Sequence, residues 1–323
     1  MFLDIKPVRN ADYNCFDGIV ASVAKYWNLD YIIMFLSVWG FRFESGKGKN
    51  TTSMGERLDH GGKNNLIELL REYHGLNIEC YYNSENSKIL ERIRAELSEG
   101  KPTAIGTDAF LCPWNPAYKK YHIPHFYLVI GIDEKERELM CIDPFCTSNI
   151  ERVPFDGFSS TVESYLVFMP ENKKTREFDW RTSLSETVVF AMENDEAFDA
   201  MRRFANEIQS LEDLSKESDG CADLYRTLLL LRIKQLSLDR YKFRELLAYL
   251  SEKYGVKEMA DYAENMEHAA KMWDNVVMLM AKEILKSRKS TGIKRIADMV
   301  FEAADYEEKL ALGILKLCRN EDT

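Results

Sequence analysis

The 323-residue chain has no proline after Pro170, although eight occur up to that point, and twelve of its sixteen glycines precede residue 158. Long unbroken helices are therefore open to the second half, while the first half carries the breakers of a turn-rich region. No apolar run approaches the ~20 residues of a membrane-spanning helix. The opening residues, Met1-Phe2-Leu3-Asp4-Ile5-Lys6-Pro7, lack the basic-then-apolar pattern of a secretory signal. Seven cysteines, an odd number at irregular spacing, do not make a disulfide framework. Positive charge is in deficit: the net charge is -10 and the pI about 5.2, which argues against global attraction to nucleic acid or anionic membrane. The expectation is a reduced, cytoplasmic protein with no nucleic-acid and no membrane partner. What is present, 46% hydrophobic and 30% charged residues, suffices for one large or two modest cores.

The polar stretch 171–176 marks a boundary, giving expected domains over 1–170 and 171–323. In the first, residues 15–27 read as a helix, with Phe16, Ile19, Val20, Val23, Ala24 and Trp27 on one apolar face and Asp12 or Asn14 as its cap. Further helices are expected over 33–39, 65–74 and 87–98, and strands over 103–107, 126–132, 139–142 and 165–169. The polar run 133–138 reads as a hairpin connection. Helices followed by an antiparallel sheet make an α+β pattern. In the second half, helical patterns over 184–211, 222–254, 256–286 and 292–317 predict an all-α bundle, burying residues such as Leu236, Trp273, Val276 and Met280.

Chemistry concentrates in the first half. Cys15 stands at the start of a helix, where the positive end of the helix dipole favours a thiolate. His125 stands at the start of a strand and Asp143 at the end of the next. A hairpin joins the two strands, so its register brings His125 and Asp143 to one edge of the sheet. A thiol, a base to move its proton and a carboxylate to orient that base are the parts of a cysteine acyl-transfer site. Each residue also has an ordinary structural reading: a small buried cysteine, a strand-edge histidine, an Asp-Pro turn. The ordered set favours the functional one. His122 is a rival base. Cys141 reads as a packed strand residue, and Cys112 has no base near it in sequence. An oxyanion donor is also required. The Cys15 amide is one candidate, and Asn10 and Asn14 supply the nearby side-chain amides.

Other patterns are weaker. Ser45-Gly46-Lys47-Gly48-Lys49 lacks the spacing of a phosphate-binding loop. His122, His125, Cys141 and Cys146 could be drawn as a zinc site but lack a close cysteine pair, and no metal is expected. The basic set Lys282, Lys286, Arg288, Lys289, Lys294 and Arg295 reads as a solvated helix end or as a dock for an acidic partner.

At Asn14-Cys15-Phe16-Asp17, and at the run from His122 to Asp133 followed by a strand ending in Asp143-Pro144, the chain resembles the family typified by the N-terminal domain of butirosin biosynthesis protein H. That family is related to bacteriocin-processing cysteine peptidases and, more distantly, to papain. The likeness covers about residues 1–170. It implies a papain-like cysteine-peptidase fold followed by a helical extension. It also implies a cysteine acyltransferase of natural-product assembly, moving an aminoacyl or peptidyl group from a carrier-protein thioester to a small amine. Cys15 would be the acylated nucleophile, His125 the base and Asp143 its partner. The phosphopantetheine belongs to the carrier, with no cofactor in the chain itself, and the basic set near Lys289 is the expected dock. The chain departs from the papain pattern in having no Gln shortly before the Cys. A thiol peptidase or thioester hydrolase with the same triad, and a non-catalytic binding module, are the competing readings.

Overall fold

The computed structural model describes residues 1–46, 53–82, 88–171, 176–218, 227–286 and 292–319. In chain order its elements are α1 (Cys15–Tyr26), β1 (Arg42–Phe43), α2 (Met54–Arg57), β2 (Leu58–Asp59), α3 (Leu66–His74), β3 (Leu76–Tyr82), α4 (Ile89–Ser98), β4 (Thr103–Asp108), β5 (Pro124–Asp133), β6 (Glu138–Ile142), β7 (Ile150–Pro154), α5 (Phe158–Thr161) and β8 (Ser164–Pro170). They continue with α6 (Trp180–Val189), α7 (Ala197–Gln209), α8 (Leu228–Tyr254), α9 (Glu258–Ile284) and α10 (Ile293–Arg319). The protein is α+β, and no helix among the described residues is long and apolar enough to cross a membrane.

The chain forms two compact units, Met1–Ile33 with Ile67–Glu177, and Met34–Leu66 with Phe178–Thr323. The expected boundary near 171 falls close to the observed one at Glu177/Phe178. The expected 1–170 domain is not continuous, however, because 34–66 belongs to the second unit. The cause is packing: Trp39, Phe41 and Phe43 are buried there, Phe41 stacking on Trp273 at 5.6 Å and Phe43 meeting Phe204 edge-on at 5.0 Å.

The first unit holds a six-stranded antiparallel sheet in the order β3-β8-β4-β5-β6-β7. β5 is central and buried almost throughout, as a strand covered on both faces must be. A bulge between Val129 and Gly131 shifts the β5–β6 register, so that Leu128 faces Ile142 and Ile132 faces Leu139. The expected hairpin is therefore present. α1 packs on β5. It is buried from Asp17 to Ala24 on every side, not only along the expected apolar face. Burial of Ile19, Val20 and Val23 contributes about 1.5–3 kcal/mol each. β3 and the edge strand β7 were not expected.

Residues 32–37, which enter the second unit at Met34, form a short 3₁₀ turn in place of the helix expected over 33–39; two successive β-branched isoleucines and the short span disfavour an α-helix. The helix expected over 184–211 is broken. A π turn (Phe190–Asn194) follows α6, and Glu196 takes a left-handed conformation (φ 46°) before α7. The break sets the buried Asp195 carboxylate to accept from the Gly62 N–H (2.7 Å) and Arg42 Nε (2.6 Å). The core of this unit contains Arg240 and Glu307, both fully buried and paired at 2.9 Å.

Candidate active site

Asn14 is the N-cap of α1. Its Oδ1 accepts from the Asp17 N–H (2.9 Å), and Asp17 returns a carboxylate oxygen to the Asn14 N–H (3.1 Å). This capping box makes Cys15 the first helical residue, partly exposed, with its thiol at the positive end of α1. Two contacts set α1 against the sheet: Phe16 meets Phe126 of β5 edge-on at 6.3 Å, and Gly18 abuts Pro144. A methyl at Gly18 would lie 3.0 Å from Pro144 Cβ, so glycine permits the close approach of the helix to the Asp143-Pro144 turn.

His125 lies opposite Thr107 of β4 and is 4% exposed; Asp143 directly follows β6 and is wholly buried. His125 Nε2 donates to Asp143 Oδ2 at 2.7 Å, and Trp114 Nε1 donates to the same oxygen at 2.8 Å. Asp143 Oδ1 accepts from the N–H groups of Phe145 (3.2 Å) and Cys146 (3.1 Å). With Nε2 engaged, Nδ1 is the nitrogen left for a thiol. The side chains of Cys146 and Cys15 both lie near enough to the ring to influence its charge. The structure thus brings Cys15, His125 and Asp143 together.

Burial works to pull the His125 pKa down, but the hydrogen bond and charge of Asp143, helped by the neighbouring Cys146 and Cys15 side chains, outweigh it. The imidazolium is held well above the usual histidine range. Burial likewise works to raise Asp143, yet its hydrogen bond and charge interaction with His125, the Trp114 indole and the Cys146 N–H hold it below the ordinary carboxylate value. Burial pushes other thiols up: Cys112 to about 12, Cys318 to about 11, and Cys141 and Cys146 upward as well.

The rivals separate clearly. His122 is exposed, stacked on Phe110 and bonded through Nδ1 to Asp108 (2.5 Å). Cys141 is sealed in β6, and Cys112 is buried in its loop. The zinc set of His122, His125, Cys141 and Cys146 therefore does not converge. Asn10 folds into a local turn, its Oδ1 accepting from the Asp12 N–H (3.0 Å), and Asn14 Oδ1 is committed to the cap. The amide N–H groups of Cys15 and Phe16, in the unpaired first turn of α1, make no hydrogen bond among the described residues and remain as donors for an oxyanion.

Neither a scan against protein-family models nor a search of curated proteins finds a match to this chain.

The sequence reading missed one site residue, Trp114, and weighed another, Cys146, only as part of a zinc set. Trp114 is brought to Asp143 by tertiary folding alone. Cys146 is delivered by the turn that Asp143 opens, in which Asp143 accepts backbone N–H groups from residues two and three positions on. An Asp-Pro-x-Cys string was the available signal. A cavity of about 350 Å³ adjoins this region, walled in part by Thr107, Trp114, Tyr127, Arg152 and Phe158. Of the basic set, Lys282 and Arg295 are exposed and line a second, open cavity of about 350 Å³ with Met278, Leu279 and Met299. Lys286 pairs with Glu283, Lys294 is exposed, and Arg288 and Lys289 lie outside the described residues, as do 47–49 of the glycine-lysine stretch.

Proposed function

We propose that this chain is a papain-like cysteine acyltransferase that takes an aminoacyl or peptidyl group from a carrier-protein thioester and passes it to a small amine in natural-product assembly. One observation carries the reading: a thiol at the first position of a buried helix meets an imidazole whose far nitrogen is held by a fully buried, fully hydrogen-bonded carboxylate. The family likeness of residues 1–170 supplies the substrate class.

The steps follow from the groups present. The Cys15 thiolate attacks the thioester carbonyl carbon. The oxyanion lies against the free amides of Cys15 and Phe16. The carbon–sulfur bond to the carrier breaks as the His125 imidazolium delivers its proton to the departing thiolate. Thioester exchange between thiols has little intrinsic bias, so the acyl-enzyme forms without a large driving force and waits for its acceptor. The amine then attacks the Cys15 acyl group, His125 takes the amine proton, and the bond to Cys15 Sγ breaks, restoring the thiolate and imidazolium. Asp143 keeps the ring oriented and stabilises its charged form throughout. Water in place of the amine would make the same site a hydrolase.

The carrier is acidic by expectation, and the exposed Lys282 and Arg295 beside Met278, with no ion pair among the described residues, offer it charge and apolar contact. Reversing both charges (Lys282→Glu with Arg295→Glu) weakens carrier binding at low salt; unchanged affinity removes this dock.

Intact-protein mass spectrometry with acyl-loaded carrier proteins tests the chemistry. The wild type gains the acyl mass and Cys15→Ala does not; discharge by added amine over water identifies a transferase, and discharge by water alone a hydrolase. No adduct with any donor, together with Cys15 alkylation no faster than that of exposed Cys80, would leave a non-catalytic binding module.

A further inference from the structure

The acyl-transfer steps use Cys15, His125 and Asp143 and leave one thiol at the same point without a task. Cys146 is half-buried. Its backbone N–H is bound by Asp143 Oδ1, and its Sγ, an Asp143 carboxylate oxygen and a His125 ring nitrogen all lie within 4.8 Å of one another. A half-buried cysteine beside a turn is ordinary. A sulfur, a nitrogen and an oxygen donor converging on one point, with outer partners already on two of them, is not.

We infer that His125, Asp143 and Cys146 form a binding site for a divalent metal ion of the zinc class, and that its occupation shuts down the neighbouring Cys15 thiol. Bond lengths of about 2.0 Å to nitrogen and oxygen and about 2.3 Å to sulfur set tetrahedral ligands about 3.3–3.6 Å apart. The three donors fall inside the span that a small adjustment brings to this spacing. The His125–Asp143 hydrogen bond opens from 2.7 Å by roughly half an ångström to admit the ion, and the Cys146 sulfur, within 4.8 Å of both, closes on it. One thiolate, one imidazole and one carboxylate suit Zn²⁺ or Co²⁺. Mg²⁺ and Ca²⁺ require oxygen ligands. Three protein ligands leave a fourth position for water.

The surroundings are those of a supported site. Trp114 Nε1 and the Phe145 and Cys146 N–H groups hold Asp143. Asn115 Nδ2 donates to Cys146 Sγ at 3.2 Å, a contact that a thiolate ligand strengthens. The proton accounting is simple: the Cys146 thiol and the His125 imidazolium each release one proton to solvent, and the ion takes their place. With metal on Nε2, His125 is a neutral imidazole whose one remaining proton sits on Nδ1; that nitrogen has no lone pair to take a proton from an amine and is too weak an acid to protonate a leaving group, so Cys15 is silenced without itself being a ligand. The silencing rests on the reading of Cys15 as nucleophile; the binding of metal does not.

The test uses the full chain with Co²⁺ and Zn²⁺ as the only additions. Co²⁺ titration of the wild type gives a thiolate-to-cobalt charge-transfer band at one equivalent. Cys15→Ala keeps the band, while Cys146→Ser loses it and weakens Zn²⁺ competition by about tenfold or more. Within each folded protein, the rate of iodoacetamide labelling at Cys15 is compared with and without Zn²⁺: the ratio falls in the wild type and stays at one in Cys146→Ser. Absence of the band in the wild type, or its persistence in Cys146→Ser, overturns the site. A normal band with Cys15 labelling indifferent to Zn²⁺ overturns the silencing. Slow Cys15 labelling without any metal counts against the nucleophile and leaves the band to decide the metal.

Discussion

A buried charge pair stands in each unit, His125–Asp143 in the sheet unit and Arg240–Glu307 in the helical one, and the two are built to opposite ends. In the helical unit Glu307 is enclosed by donors: Arg240 at 2.9 Å, Trp39 Nε1 at 2.9 Å and Trp273 Nε1 at 2.7 Å, while Arg240 also donates to the Gly40 carbonyl at 3.0 Å. All of these partners are protein groups buried in one core. In the sheet unit Asp143 is satisfied as fully, by His125, Trp114 and two backbone N–H groups, but the other end of its pair is an imidazole facing two partly accessible thiols. A buried charge closed on all sides adds specificity to a core at little net gain. The same device left open at one end holds a proton-carrying group in place beside a partly accessible thiol. Burial of charge alone does not mark a functional site; an unfinished coordination does.

The largest expected effect is at the open pair. Asp143→Asn preserves shape but removes the charge that keeps His125 protonated and oriented, so acyl-enzyme formation falls by roughly 10⁴-fold, the scale of such a loss in a triad. Single-turnover mass spectrometry reads it, and a loss under tenfold would mean that the carboxylate does not act through the ring. Next in size is the closed pair. Glu307→Ala leaves Arg240 charged and buried alone, destabilising the protein by about 3–5 kcal/mol, whereas Glu307→Leu with Arg240→Met is expected to restore most of it. Urea unfolding followed by tryptophan fluorescence, to which Trp39 and Trp273 contribute, separates the two cases. Equal losses in both variants would show that the pair contributes net stability in its own right.

The same comparison extends to pH. The folded pKa of His125 lies above its unfolded value of about 6.5, so its contribution is complete below that pH and is lost as pH rises toward the folded value. Asp143 is depressed in the fold, so its contribution is complete above about pH 3.9 and is lost as pH falls through the folded value. The stability difference between wild type and Asp143→Asn should therefore be widest between about pH 4 and 6.5 and narrow on either side. A difference independent of pH would assign the pair no ionic character.

The open pair was legible before any coordinates because its register is local. An apolar run broken by the charged stretch 133–138 can only return on itself, and the return carries Asp143 to the edge where His125 stands. Cys15 was legible from the helix that follows it. The closed pair was not legible: Trp39 reaches Glu307 across 268 residues, and nothing local in Trp39, Phe41 and Phe43 distinguishes a segment that joins the helices from one that lines the sheet. β3 pairs with β8 across 82 to 94 residues, and β7 is a five-residue edge strand, so neither has strong local patterning. The break at Asp195 was missed because the partner its carboxylate meets there, the Gly62 N–H, lies 133 residues away. Trp114 was overlooked at the site for the same reason, whereas the Asp-Pro-x-Cys string put Cys146 within local reach.

The smallest expected effect concerns how α1 presents its thiol. Asn14→Ala removes the side chain that closes the capping box, and the loss of such a cap lowers stability by about 1 kcal/mol. It also frees the first turn, where Cys15 and the two unpaired amides sit, so Cys15 labelling slows by a small factor while the fold persists. Asn14→Asp retains a capping oxygen and recovers both properties. Thermal melts and iodoacetamide rates on the three proteins make the measurement. Should Asn14→Asp recover stability but not reactivity, the Asn14 amide itself, not the cap, serves the thiol, and the oxyanion role considered for Asn14 from sequence would regain its ground.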